Sequence, residues 1–441
     1  RMVRADAGRP TPGRRDLSPM AVTTSPRTVT ATRSPGATGG APRTARGLLQ
    51  HALDTPLASV YLVIASAGLL LGLGVLMVLS SSSVLAEVTK SNPYYYVQRQ
   101  LLFVAVGLVG AWVVARLSPR TLRFLAWPAL LVAAVFLMLT FVPGLGISVD
   151  GNRNWIRFGT PLLQFQPSEF AKAAICLWGA DNLARKEKIL DRPRELVPYL
   201  LFTTILIGLV VLQRDMGTAV IMSAMVVAVL FLCGAPLRLL AAMFTIVAAG
   251  AVVLVFTSAN RMNRILGFLN PGNDIEGVNQ QPLRGIYALA SGGWWGLGLG
   301  QSKQKWGMLV AAHTDYVFAI IGEELGLVGS TAVIGLFALF GYAALRIARR
   351  SDDAFCRNLS VGIGAWFVIQ AIVNIAVVLR VVPVMGVTLP LVSYGGSSLL
   401  ATTVALGLLL ACARHEPAAR RVLAKRTRTP RARVTAVVDR R

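Results

Sequence analysis

Long apolar stretches alternate with short polar ones along this chain, and the apolar stretches set its architecture. Ten of them, over 58–82, 99–117, 121–143, 167–184, 197–213, 215–234, 237–257, 315–345, 358–380 and 395–413, approach the roughly 20 residues with which an α-helix crosses a bilayer core. The stretches at 167–184 and 197–213 are short and hold polar residues, so their limits are the least sharply drawn. The pattern predicts an all-α polytopic membrane protein of about ten transmembrane helices, with a large outer loop between helices 7 and 8. The first stretch is longer than the roughly 7–15-residue apolar core of a signal peptide. It therefore reads as an uncleaved span, although Val84-Leu85-Ala86 loosely resembles a cleavage site.

Composition agrees with that picture. Of 441 residues, 54% are hydrophobic and 15% charged, a balance rare in soluble proteins. A net charge of +24 suggests nucleic acid until its distribution is examined. The basic residues cluster at the two ends and in the short segments ARLSPRTLR, ARKEKILDRPREL and LRIARRSDDAFCR. The positive-inside rule places these segments and both termini in the cytoplasm. Segments 83–98, 144–166, 258–314 and 381–394 then face outward. Terminal arginines at a bilayer meet anionic headgroups rather than nucleic acid. Residues 1–50 hold few large apolar side chains and read as a disordered basic tail. Residues 58–413 form the transmembrane domain, and 414–441 a second basic cytoplasmic tail. Cys176, Cys233, Cys356 and Cys412 fall in spans or at cytoplasmic edges without a CxxC pair, so neither a disulfide framework nor a metal site is indicated.

The outer loop over 258–314 is longer than most helix connections, and loops of this length usually carry function. It holds Trp, Ile, Leu and Tyr, a glycine-shaped turn GLGLG, and the weakly amphipathic PLRGIYALAS, which predicts a helix lying on the outer surface.

The candidate chemistry collects at the outer end. In AAHTDYVFAIIGEELGLVG, Asp315 stands where a span begins, after His313 and Thr314. A carboxylate against an apolar wall tends toward a raised pKa and can act as a general base. From position alone, a helix cap or first-turn acid is the plainer role. The neighbours change the balance: Lys303 and Lys305 lie just upstream, and Arg261, Arg264 and Arg284 share the loop. Topology does not explain outward-facing cations, whereas an anionic, phosphate-bearing substrate does. Glu323 and Glu324 lie about two turns further in. Adjacent helical residues point some 100° apart, so the two glutamates can face neighbouring helices but not one common partner. They serve structural pairing or a proton or ion path.

Four further segments belong to this picture. QPSEFAK starts a helix at Pro167 and spaces Glu169 and Lys172 as an i,i+3 ion pair. GNRNWIRFG offers Arg153, Trp155 and Arg157 to the outside, and QRDMGT sets Asp215 in a tight outer turn as a helix cap or a member of the site. PVMGVTLPLVSYGGSS interrupts an apolar stretch with two prolines and three glycines, and such backbone lines a cavity or is buried in protein. Its Ser393, like His313, joins the substrate-binding candidates.

QPSEFAK, DMGT, GLGLGQSKQK, AHTDYVFAIIGEELGLVG and GVTLPLVSYGGSS occur in this order within residues 58–416. Together they resemble the SEDS family of bacterial membrane proteins (shape, elongation, division and sporulation). SYGGSSLL, the preceding Asn374 and the arginine-rich tails favour the division branch over the elongation branch. The resemblance implies ten transmembrane helices and a glycosyltransferase that polymerises lipid II on the outer face of the cytoplasmic membrane. It implies Asp315 as the essential acid, taking the proton from the acceptor 4-hydroxyl as that oxygen attacks and inverts the anomeric carbon. Lys303, Lys305, Arg153, Arg261 and Arg264 are the candidates for balancing charge on the departing polyprenyl pyrophosphate. A divalent cation, Mg or Mn, could share that task, although no ligand cluster demands one. The implied partners are lipid II, a class B penicillin-binding transpeptidase and other division proteins at the septum, and no nucleic acid.

The chain departs from the family pattern at named places. Val310 and Ala311 stand where Pro-Glu is common, Arg153 is followed by Asn154 instead of a second cation, and Arg214 replaces a proline. Ala376 and Arg380 occupy places where glycine is common, so Arg380 is an extra cation near the outer end of a span. Two other readings compete. A lipid II flippase would route its substrate past Glu169, Lys172, Glu323 and Glu324, and a noncatalytic scaffold would only recruit the transpeptidase. The concentration of unusual residues on the outer side favours surface chemistry.

Overall fold

Proline at the first helical position, where the missing N–H is no loss, opens four of the helices. The computed structural model of the protein describes residues 55–149, 151–159, 164–187, 192–256, 259–270, 279–307, 309 and 311–427. The tail over 1–50 and everything after 427 lie outside the described residues. The helices are α1 (Ala58–Lys90), α2 (Tyr95–Val114), α3 (Pro119–Leu139), α4 (Pro167–Arg185), α5 (Pro193–Leu212), α6 (Met216–Leu232) and α7 (Leu237–Phe256). After them come α8 (Ala259–Leu269), α9 (Gln280–Gly292), α10 (Val317–Arg350), α11 (Ala354–Val378), α12 (Gly396–Arg414) and α13 (Pro417–Thr427).

Each of the ten apolar stretches falls on a helix. Seven helices among the described residues (α1, α2, α3, α5, α10, α11 and α12) are long and apolar enough to cross a membrane, while α6 and α7 are apolar over shorter lengths. Helix α4 carries Glu169, Lys172, Asp181 and Arg185, yet nearly all of it is buried between α3, α11 and α12. The outward faces remain apolar: Leu69, Val109, Phe124 and Phe244 are each at least 60% exposed. Such a surface suits lipid, and backbone groups there are satisfied within the helices.

Two features differ from the sequence expectation. The segment expected as an outer loop at 144–166 contains a small antiparallel sheet, β1 (Gly146–Val149), β2 (Asn152–Arg157) and β3 (Gln164–Phe165), with Ile147 opposite Trp155 and Ile156 opposite Phe165. Asn154 and Ile156 point inward from β2; with a polar residue at one inward position, the alternation is too weak to announce a strand.

The second feature is a break in α10. Gly326 has φ 66 and ψ −163 inside the helix. In an unbroken helix the carbonyls of Glu323 and Glu324 would accept from residues four further on. Here Leu297 and Gly298 donate to them at 2.9 and 3.0 Å, while the amides of Leu327 and Val328 donate to Gly293 and Trp294. The turn GGWWGLG is thus stitched into the helix by exchanged backbone bonds. Glycine is required on both sides: a Cβ at Gly326 would lie 2.4 Å from the Gly296 nitrogen, and one at Gly296 would lie 2.1 Å from the Glu324 carbonyl oxygen.

Candidate active site

The chain turns into α10 through His313, Thr314, Asp315 and Tyr316, with the amides of Thr314 and Tyr316 both donating to the Ala311 carbonyl. Tyr316 occupies the cap position and no side chain caps the helix, so the plainer role for Asp315, capping, is not the one it has. Asn374 on α11 donates through Nδ2 to the Asp315 carbonyl at 2.7 Å and to the Val387 carbonyl at 2.6 Å. One buried amide thereby fixes the head of α10 against the irregular 381–394 segment. The half-buried Asp315 carboxylate faces Gly386 in that segment: a Cβ there, at φ +66, would lie 3.7 Å from Oδ2.

Charge gathers around the next residue. Tyr316 is fully buried, and its hydroxyl has no hydrogen-bond partner among the described residues. Burial, and then the Asp315 carboxylate, hold its phenol above the ordinary range, while Arg264 and Arg380 pull the other way. Asp315, Arg264 and Arg380 therefore act on one spot. Beside it, the His313 ring packs 5.0 Å from Tyr96 and 5.5 Å from Tyr394, and the Tyr394 amide donates to the His313 carbonyl. Burial pushes the His313 imidazole down to about 4, so it is neutral near pH 7 and adds no positive charge. Arg99 donates to the Tyr95 hydroxyl at 3.1 Å.

Sequence reasoning missed Tyr96, Arg99 and Tyr316 and left Arg380 outside the site. The run PYYYVQR, three tyrosines and an arginine where α2 begins at an expected outer loop, was the available signal.

The two inner glutamates behave differently from the expectation. Glu323 accepts from Ser302 Oγ at 2.5 Å, the Lys303 amide at 2.9 Å and Ser291 Oγ at 3.4 Å. Glu324 accepts from Ser80 Oγ at 2.6 and 2.8 Å and from the Ser302 amide at 3.3 Å. Ser302 is thus a partner common to both, because the stitched turn runs between the two side-chain directions and offers a hydroxyl to one and an amide to the other. Lys305 is also not at an open surface. Its side chain is 5% exposed, with Nζ 3.6 Å from Glu324 and donating to the Gly300 carbonyl at 2.6 Å. Lys303 keeps an exposed side chain.

The remaining candidates occupy separate places. Lys172 Nζ donates to Glu169 at 2.8 Å and to Gln370 Oε1 at 2.8 Å, and Gln370 Nε2 donates to the Thr388 carbonyl. This buried ion pair ties α4 through α11 to the 381–394 segment. Asp215 caps α6, accepting from the Thr218 amide and hydroxyl, and also takes Asn154 Nδ2 at 2.9 Å and Gln166 Nε2 at 2.8 Å. Arg153 is half-buried on β2, its amide donating to the Gln213 carbonyl. Ser393 is 3% exposed, and its Oγ accepts the Leu389 amide at 2.8 Å, so it closes a turn of its own segment and its oxygen is not presented at a surface. Arg261 belongs to α8, but its side chain lies outside the described residues. Among the described residues no group of three or more His, Cys, Asp or Glu side chains could hold a metal ion.

Comparison with known proteins follows the same residues. Positions 60–418 match the family model of the cell cycle proteins FtsW, RodA and SpoVE. The chain is 41% identical over 341 residues to the probable peptidoglycan glycosyltransferase FtsW of Trichlorobacter lovleyi, covering 76% of this chain and 88% of that protein. It is 40% identical over 368 residues to the probable peptidoglycan glycosyltransferase FtsW of Mycobacterium tuberculosis, covering 83% and 70%. Among solved structures, it resembles a chain from a peptidoglycan synthase complex that coordinates polymerisation and crosslinking. That match has a TM-score of 0.65 at 29% identity and covers 83% of this chain and 99% of that one.

Proposed function

The chain belongs to the SEDS family of FtsW, RodA and SpoVE proteins, and from that premise we propose that it is the peptidoglycan glycosyltransferase that polymerises lipid II for the division septum. The observation that carries the reading is the setting of Asp315. A half-buried carboxylate heads α10 beside irregular backbone, with Arg264 and Arg380 acting on the same spot.

In the proposed reaction Asp315 accepts the proton of the acceptor 4-hydroxyl. That oxygen bonds to the anomeric carbon of the growing chain, which inverts as its bond to the polyprenyl diphosphate oxygen breaks. The diphosphate leaves with the electron pair, and nearby cations stabilise the charge developing on it. Any Mg or Mn ion taking part would be held largely by the substrate's own phosphate oxygens, the hard ligands such ions prefer. We place both termini and the short basic loops in the cytoplasm, and name a class B penicillin-binding transpeptidase and other division proteins as partners. The relative solved in a peptidoglycan synthase complex supports the transpeptidase.

The closed cluster around the paired glutamates favours this reading over a flippase. Glu323 and Glu324 are bonded to Ser80, Ser302 and the Lys303 amide, so both are engaged by the protein's own groups, and Glu169 is paired with Lys172 through Oε1. The test is lipid II polymerisation by the purified protein with its transpeptidase, wild type against Asp315→Ala. Polymer from the wild type and none from the folded variant supports the assignment, and equal polymer removes Asp315 as the base. If neither makes polymer while the wild type moves labelled lipid II between leaflets, the flippase reading replaces it.

A further inference from the structure

We propose that Arg264 and Arg380 form a binding site for a lipid-borne phosphate group, placed beside Asp315 and distinct from Lys303 and Lys305. As a holder of the glycan donor's diphosphate it rests on the polymerase reading; as a holder of a lipid phosphate it does not.

The two arginines line one cleft with Phe268, Asn279, Pro282 and Val382, where α8, α9 and the segment after α11 meet. Both are half-buried, and neither is in an ion pair with a carboxylate among the described residues. Two guanidinium groups lining one cleft repel each other, and an anion between them removes that repulsion.

Arg380 is held for this purpose. Its Nη2 donates to the carbonyls of Gly267 and Phe268 at 3.1 and 3.4 Å, at the C-terminal end of α8, where the helix dipole favours a cation. A guanidinium carries five N–H donors in a fixed fork. The Nε and Nη1 donors have no partner among the described residues, in the arrangement that suits phosphate. The backbone of Arg380 has φ 56, the left-handed region that favours glycine, so an arginine stands here at a conformational cost.

Two further polar groups belong to the surroundings of the cleft, although Tyr316 is not part of its lining. The buried Tyr316 hydroxyl, unpartnered among the described residues, feels both arginines. Helix α9 begins at the cleft with Asn279 as a cap residue that makes no side-chain capping bond. Its first-turn amides therefore add to the positive potential. Lys305, by contrast, is buried against Glu324.

The test is binding to the full-length protein in phosphatidylcholine nanodiscs titrated with undecaprenyl diphosphate. Loss of one charge-assisted contact predicts an apparent Kd about tenfold weaker for Arg380→Gly, with Arg380→Lys intermediate because an ammonium lacks the fork. Glycine suits φ 56, so the Arg380→Gly protein folds, as its melting temperature will report. Arg264→Gln leaves the bonds to α8 intact and is expected to weaken binding about as much. If only Arg380→Gly weakens binding, the residue merely pins α8 and the site is refuted; if neither does, it is refuted outright.

A competition arm identifies the source of the phosphate. Arginine-dependent displacement by phosphatidylglycerol assigns the site to phospholipid headgroups, and resistance to it assigns the site to the diphosphate. Wild-type polymerisation of lipid II in the same nanodiscs separates the two claims. An inactive wild type with arginine-dependent binding removes the polymerase and keeps the site. An active wild type with arginine-independent binding removes the site and keeps the polymerase.

Discussion

Asp315 stands just ahead of α10 and the pair Glu323–Glu324 lies inside it, and they live in opposite conditions. The glutamates are completely buried, accept from Ser80, Ser291, Ser302 and the Lys303 amide, and have Lys305 as an ion-pair partner. Asp315 is half-buried and acts on the same tyrosine as Arg264 and Arg380, which are in no ion pair among the described residues, and the hydroxyl of that tyrosine has no hydrogen-bond partner there. A saturated cluster has nothing left to offer a substrate and holds a structure together. The arginines that line the cleft beside Asp315 keep donors for an anion, as proposed above. Carboxylate count along the helix would have ranked the glutamates first, and the bonding around them reverses that ranking.

The sharpest way to break the comparison is to neutralise each side in turn. Asp315→Asn keeps size and burial and removes the base, so the polymerisation rate is expected to fall by about 10²–10⁴-fold with the melting temperature nearly unchanged. Glu324→Gln leaves Lys305 buried without its counter-charge. Removing one partner of a buried pair destabilises by about 3–5 kcal/mol, read as a lowered unfolding midpoint in detergent. Adding Lys305→Met to that variant should restore much of the loss, since the stranded charge is then gone.

Smaller effects sharpen the contrast. Asp215→Ala removes the cap of α6 and is expected to cost about 1–2 kcal/mol, measured in the same unfolding assay. His313 has no effect near neutral pH and acts only below it. Burial holds it at about 4 in the folded protein, against an ordinary 6.5, so the unfolded chain binds its proton first. Its contribution to stability is complete above pH 6.5 and is lost as pH falls from there toward 4. Unfolding midpoints across that window should depend less on pH in His313→Phe than in the wild type.

How much of this was legible in the sequence depended on the range of the interaction. The helices follow from apolar stretches read locally, and the Glu169–Lys172 pair from i,i+3 spacing. Asp315 was singled out by the cations near it in sequence. What was not legible lies between distant segments. The break at Gly326 is fixed by a turn some thirty residues upstream in the chain, and nothing within the apolar run announces it. Lys305 and Lys303 look equivalent in GQSKQK, and only the packing of Ser80 and Glu324 around one of them separates their roles. Arg264 and Arg380 meet across more than a hundred residues, so their shared cleft has no trace in spacing.

The central claim is that the chemistry sits at Asp315 and the glutamate pair only holds the turn. The direct measurement is lipid II polymerisation per folded molecule, with the transpeptidase present, for Asp315→Asn and Glu323→Gln side by side. The account predicts that Asp315→Asn is folded and inactive, while the surviving folded fraction of Glu323→Gln retains a substantial part of the wild-type rate. Full activity in Asp315→Asn, or complete inactivity of well-folded Glu323→Gln, would contradict it.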